Sequence, residues 1–175
     1  MVGWRAALAG ALVLAAINTL GDFIWAHYIP SHRVIFGLMH GTLLLLVLGL
    51  YLGSVRGRPA LGALGGAVVG LASAGSFYVL ARFIERSAMF VSWMALWIGF
   101  ALLDARLLRR LGLLSEALVR GVLAAVGSGS AFYAISGIWT RPRPGGPDYG
   151  YNFLCWTLAF LPGFMALLLT KPTRP

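Results

Sequence analysis

Leu61-Gly-Ala-Leu-Gly-Gly-Ala-Val-Val-Gly-Leu-Ala-Ser-Ala-Gly-Ser-Phe-Tyr-Val-Leu-Ala81 runs for 21 residues without a formal charge. A helix of that length, at ~1.5 Å per residue, covers the ~30 Å of a bilayer's hydrocarbon core. Similar stretches lie on either side of it, over 6–25, 34–52, 89–103, 118–139 and 151–169. A soluble helix of such length carries a polar face, and these stretches have almost none. The chain reads as all-α: a polytopic bundle of six transmembrane spans forming a single domain over residues 1–175.

Composition agrees. Hydrophobic residues make up 59% of the chain and charged ones 11%, with a mean hydropathy of +0.84. The net charge of +9 falls in the gaps between spans, where it sets topology and does not point to nucleic acid. With an inside N-terminus, Arg5, Arg56, Arg58, Arg106, Arg109, Arg110, Arg120, Lys171 and Arg174 face the cytoplasm. Arg33, Arg82, Arg86, Arg141 and Arg143 face outward, so nine basic residues against five favour both termini cytoplasmic. In a bacterium this would be the plasma or inner membrane. Arg5 before the apolar run from Ala6 resembles a signal peptide. Apolar character resumes at Phe23–Trp25, however, and no small-x-small site ends the run, so no cleavage is expected.

The connections are punctuated by Pro30, by the basic turn Val55–Pro59 and by the mixed-charge turn Arg82–Ser87. Asp104–Arg120 mixes Leu with Arg and predicts an interfacial amphipathic helix. Thr140–Gly150 is rich in Pro and Gly and predicts a stiff outer loop. Small residues recur every four positions at Gly62, Gly66, Gly70 and Ala74, at Gly3, Ala7, Ala11 and Ala15, and at Gly121, Ala125 and Gly129. Such stripes let helix backbones approach closely, within the chain or between copies of it; a homo-oligomer stays open.

Polar side chains gather in the outer halves of the spans. Asn18 and Asp22 share one face of the first span at i,i+4. His40 lies seven residues past Arg33, about 10 Å deep. Ser73 and Ser76, Ser92, Ser136, Asn152 and Thr157 are at comparable depth, whereas inner segments such as Leu43–Leu52 are nearly bare. A carboxylate in lipid costs ~2.5–3.5 kcal/mol even on the lenient scale. Asp22 should therefore face the interior, with Asn18 and His40 as its expected partners. Two readings follow: a polar clasp between the first two spans, or the polar end of an amphipathic ligand's pocket. A proton relay would need polar steps through the inner half, and none is visible.

Other chemistries fare worse. Gly127-Ser-Gly-Ser130 resembles an intramembrane serine protease loop, but His27, His32 and His40 all precede it, which is the wrong order. His27 and His40 lack the second matched pair that would bracket a haem. A retinal Schiff base needs a lysine within a span, and Lys171 is terminal. Cys155 stands alone, so no internal disulfide is expected, and no carboxylate cluster suggests a metal. No cofactor is expected. Trp25, Tyr28, Trp139, Tyr149 and Tyr151 read as an interfacial aromatic belt.

Several local motifs, taken in order along most of the chain, resemble the Insig family of six-span sterol-sensing proteins. They are Asn18-Thr-Leu-Gly-Asp22 through Pro30, Val69-Gly70-Leu71-Ala72-Ser73-Ala74, Trp97 followed by Asp104-Ala-Arg106, and Pro147-Asp148-Tyr149-Gly-Tyr151. The second span departs from the family pattern by carrying His40, and extended polar termini are lacking. The resemblance implies six helices with cytosolic ends, a lipid or sterol-like ligand within the bundle, and association with other membrane proteins rather than catalysis. It also implies a partner-binding role for Asp104, which could otherwise form a solvated ion pair with Arg106 or Arg109. The expectation is a non-catalytic sensor or partner-binding regulator. Asn18, Asp22, His40, Ser73 and Ser76 would supply its polar contacts, and Phe132, Tyr133 and Ser136 its wall. The alternative is a small transporter or membrane enzyme acting on a lipid or prenyl substrate.

Overall fold

The computed structural model describes residues 3–29, 31, 33–109, 114–139 and 148–169. They form six long helices and, among the described residues, no strand. These are α1 (Trp4–Tyr28), α2 (Arg33–Val55), α3 (Pro59–Ile84), α4 (Ala88–Leu107), α5 (Leu114–Trp139) and α6 (Tyr149–Leu168), with one 3₁₀ turn at Glu85–Ser87. All six are long and apolar enough to cross a membrane. Helices are the form an apolar chain must take in lipid, because each backbone N–H and C=O is then satisfied within its own segment.

The ends have local causes. α2 closes into a turn in which Gly57 adopts φ +73°, and Pro59 opens α3 at a position where its missing N–H costs nothing. Glu85 at φ 47° ends α3. The Asp148 carboxylate caps α6 by accepting the Tyr151 N–H at 2.9 Å. α4 runs to Leu107 and α5 begins at Leu114, so most of the expected interfacial helix over 104–120 belongs to these two spans. Residues 110–113, and residues 140–147 of the expected outer loop, lie outside the described residues.

The helices form a closed ring in chain order, each packed on the next, with α6 returning to α1. α2 and α3 make the most extensive contact and α1 and α2 the sparsest of the neighbouring pairs. Tyr51, near the end of α2, donates to the Ala6 carbonyl near the start of α1 at 2.7 Å, and Phe164 of α6 lies over Gly10. The near end of the bundle therefore holds the start of α1 and the end of α6. The far end holds the α1–α2 and α3–α4 connections.

The small-residue stripes are spent on packing within the chain. Gly62, Gly66 and Gly70 of α3 sit against the backbones of Gly41, Leu45, Gly49 and Gly53 of α2. Gly121 meets Ile98 of α4, and Gly129 faces Phe90. Ala7, Ala11 and Ala15 are fully buried.

Large side chains fill the ring toward its near half: Leu14, Leu48, Leu52, Trp97, Phe100, Phe164 and Leu167 are almost wholly enclosed. Gly163 leaves room for the Trp97 indole. Pro162 removes a helix hydrogen bond within α6, and beside it the Gly163 N–H donates to Ser128 Oγ of α5 at 2.9 Å. That contact absorbs the serine of Gly127-Ser-Gly-Ser130, which lies on a continuous helix. Its role is to satisfy backbone.

Candidate functional site: a cavity in the far half of the bundle

Toward the far end a partly open cavity of about 320 Å³ lies among the helices, at the lower edge of the ~300–1,000 Å³ occupied by small-molecule sites. All six helices contribute to its lining. α1 supplies Asn18, Asp22 and Trp25, and α2 supplies Gly37, His40, Gly41, Leu44 and Leu45. α3 adds Gly70, Ser73, Ala74, Phe77 and Tyr78, and α4 adds Met89, Ser92, Trp93 and Leu96. Phe132 comes from α5, Trp156 and Phe160 from α6.

Asn18 and Asp22, one turn apart on α1, both face this space, as their i,i+4 spacing requires. Their partners differ from those expected. The Asp22 Oδ2 accepts from Asn152 Nδ2 at 2.8 Å and from Trp156 Nε1 at 2.7 Å. Asn18 Oδ1 pairs instead with His40 Nε2 at 3.0 Å. An amide oxygen only accepts, so this contact assigns the imidazole proton to Nε2. The clasp between α1 and α2 thus exists as Asn18–His40, while Asp22 ties α1 to α6. The reason is packing: α6 lies along α1, and Asn152 and Trp156, themselves i,i+4, present two neutral donors to the carboxylate. The His40 ring lies over Gly21, where a β-carbon would leave it no room.

The serines form a second polar pair. Ser73 Oγ donates to the Ser92 carbonyl at 2.8 Å, and Ser92 Oγ donates to the Ser73 carbonyl at 2.8 Å. Both line the cavity with their protons committed to an α3–α4 clasp. Ser76 is outside the lining and donates to the Ser73 carbonyl one turn back at 2.7 Å.

Of the expected wall residues, Phe132 is buried in the lining. Tyr133, its neighbour, is 40% exposed on the outer surface against Phe90. Ser136 falls on α5, but its side chain lies outside the described residues. Trp25, read as part of an interfacial belt, lines the cavity, whereas Tyr28 is exposed as a belt residue would be. His27 stacks on Phe23 at the surface, apart from His40.

Residue-by-residue reading missed Trp93, Trp156 and Phe160. These join Phe132 in a closed cycle of ring contacts. Centroids are 5.4 Å apart for Trp93–Phe132 and Trp93–Phe160, and 5.7 Å for Phe132–Trp156 and Trp156–Phe160. The available signal was Asn152 and Trp156 at helical spacing, the same pattern that singled out Asn18 and Asp22.

Such a chamber can hold an apolar body against aromatic rings and orient one polar group at the Asp22 side. The chain matches no family model, no curated protein and no solved structure.

A separate polar cluster lies toward the near end. Asp104 is fully buried and receives Arg56 Nε at 2.8 Å and Nη2 at 3.3 Å. Arg120 of α5 approaches Oδ2, the oxygen that Arg56 Nη2 also meets, at 3.6 Å and also faces Glu116 at 3.8 Å. The expected solvated pairing with Arg106 or Arg109 is corrected, since both of those are exposed. The physical reason is helical phase: residues two apart point to nearly opposite sides, so Arg106 looks outward when Asp104 looks in. The carboxylate joins the α2–α3 turn to α4 and α5.

Proposed function

We propose that this protein is a non-catalytic membrane protein that holds a lipid-derived or sterol-like guest in its far-half cavity and acts as a sensor or partner-binding regulator. The observation that carries this reading is a chamber lined from all six helices, mostly apolar, with aromatic rings from five of them and polar groups at Asn18, Asp22 and His40. The Insig-like motifs noted in the sequence point the same way. Partners would be other membrane proteins, and the far end would face outward.

Two further features support holding a guest over conducting one. The near half is filled by the buried apolar side chains of Trp97, Phe100, Phe164 and Leu48, a barrier to passage of a polar solute among the described residues. The sparse α1–α2 seam borders the chamber, with Asn18 and Asp22 on one side and Gly37, His40 and Gly41 on the other. A guest dissolved in the bilayer would enter there. Lipid is as apolar as the chamber, so packing contacts with its wall, and not transfer out of water, favour the bound guest, and the polar wall fixes its orientation.

Native mass spectrometry of the gently solubilised protein tests the reading. The wild type should carry a bound lipid, and Met89→Trp, which fills the chamber without removing a described hydrogen bond, should lose it while melting at an unchanged temperature. Equal lipid content in both proteins would refute the proposal.

A further inference from the structure

From the same cavity we infer, as a deepening of the guest-binding reading, that the guest's head is a positively charged amine. Three observations converge. Asp22 lines the chamber and has only neutral donors on Oδ2, the Asn152 amide and the Trp156 indole. No described hydrogen bond engages its Oδ1. No lysine or arginine is among the lining residues, whose other titratable groups are His40 and Tyr78. A carboxylate held among helices is costly unless a cation completes it, and among the described residues no lysine or arginine lines the chamber to do so.

The aromatic cycle supplies the second half of a cation site. Trp93, Phe132, Trp156 and Phe160 line the same chamber as the carboxylate, and Trp156 touches it. Cations are attracted to such faces, to tryptophan most strongly, when within about 6 Å of the ring centroid. Trp156 belongs to both halves: its N–H is given to Asp22 while its ring stacks at 22° on Phe160. A carboxylate accepting the indole N–H enriches that ring's π density, which strengthens its pull on a positive head. An anionic head would instead meet Asp22 with like charge and find no basic partner. A neutral hydroxyl would gain a hydrogen bond but leave the carboxylate without a counter-charge.

A matched set of probes in non-ionic detergent at pH 7 discriminates these heads: a long-chain alkylamine, the alcohol of equal length and the carboxylic acid of equal length. Quenching of tryptophan fluorescence reports occupancy, because Trp25, Trp93 and Trp156 line the chamber. The amine should bind about tenfold or more tighter than the alcohol, the scale of a charge-assisted contact, and the acid should bind weakest. Asp22→Asn keeps an oxygen for Asn152 and Trp156 but replaces the free acceptor with a donor. It should abolish the amine's advantage over the alcohol. Equal affinity for amine and alcohol in the wild type would overturn the charged-head inference and leave guest binding intact. Saturable binding of none of the three, with Met89→Trp indistinguishable from wild type, would overturn both.

Discussion

Asp104 illustrates how one side chain can hold the near end of the bundle together. It is fully enclosed, yet both carboxylate oxygens face a guanidinium, Arg56 at 2.8 Å and Arg120 at 3.6 Å. Breaking a buried pair by removing one partner is far costlier than never having built it, because the surviving charge is stranded. Arg56→Ala should therefore destabilise the protein by about 3 kcal/mol, read as an earlier midpoint in an SDS-unfolding titration. Arg56→Lys should recover only part of that loss, since an ammonium cannot reproduce the two-pronged contact. Arg106→Ala, on the exposed side of the same helix, should leave the midpoint unchanged. The same logic separates Asp22 from Asp104. One carboxylate is paired by cations within the protein; the other is met by neutral donors and left open to a guest.

Between helices, the closest approach is that of α2 and α3. A β-carbon on Gly66 would fall on the Leu45 carbonyl and within 2.8 Å of the Gly49 Cα. Both are backbone, which cannot swing aside as a side-chain tip can. Gly66→Val should push the two helices apart and cost about 1–3 kcal/mol, the usual penalty of overpacking, visible as a lowered thermal midpoint. Gly75→Ala, on the same helix with nothing within 4 Å of the added carbon, should leave that midpoint unchanged. Elements differ in how they are joined. α2–α3 is sealed backbone to backbone, whereas α1–α2 is held by few contacts and by the Asn18–His40 and Tyr51–Ala6 hydrogen bonds. The tight seam stiffens one wall of the chamber and the loose one offers a way in.

For the molecule as a whole, six helices bring the chain back to the end of the bundle at which it began, as Tyr51 reaching Ala6 and Phe164 lying over Gly10 show. The basic residues predict that this side is cytoplasmic. With the buried Cys155 replaced by alanine, single cysteines at Arg5→Cys, Arg109→Cys and Glu85→Cys provide a test in intact cells. A membrane-impermeant maleimide should label only the Glu85 position. Labelling of the Arg5 and Arg109 positions with Glu85 protected would invert the orientation. Labelling of Arg5 and Glu85 together would mean that the chain does not cross six times.

Six helices, roughly where each begins and ends, and which segments carry polar groups at similar depth are all legible along the chain. They are legible because lipid offers backbone no hydrogen bonds, so length and apolarity alone dictate the span. Within one helix the sequence also places Asn18 and Asp22 on a common face, since 3.6 residues per turn is a local property. Whom those groups meet depends on how the helices pack. Asp22 bonds to residues 130 and 134 positions away, and Asp104 to one 48 positions back. Three of the six tryptophans became cavity wall while another, Trp97, became core plug. The ring order of the helices, their rotation about their own axes and the depth at which large side chains stop filling the centre are collective outcomes of packing. No single segment encodes them, and so the chamber appears only when all six are assembled.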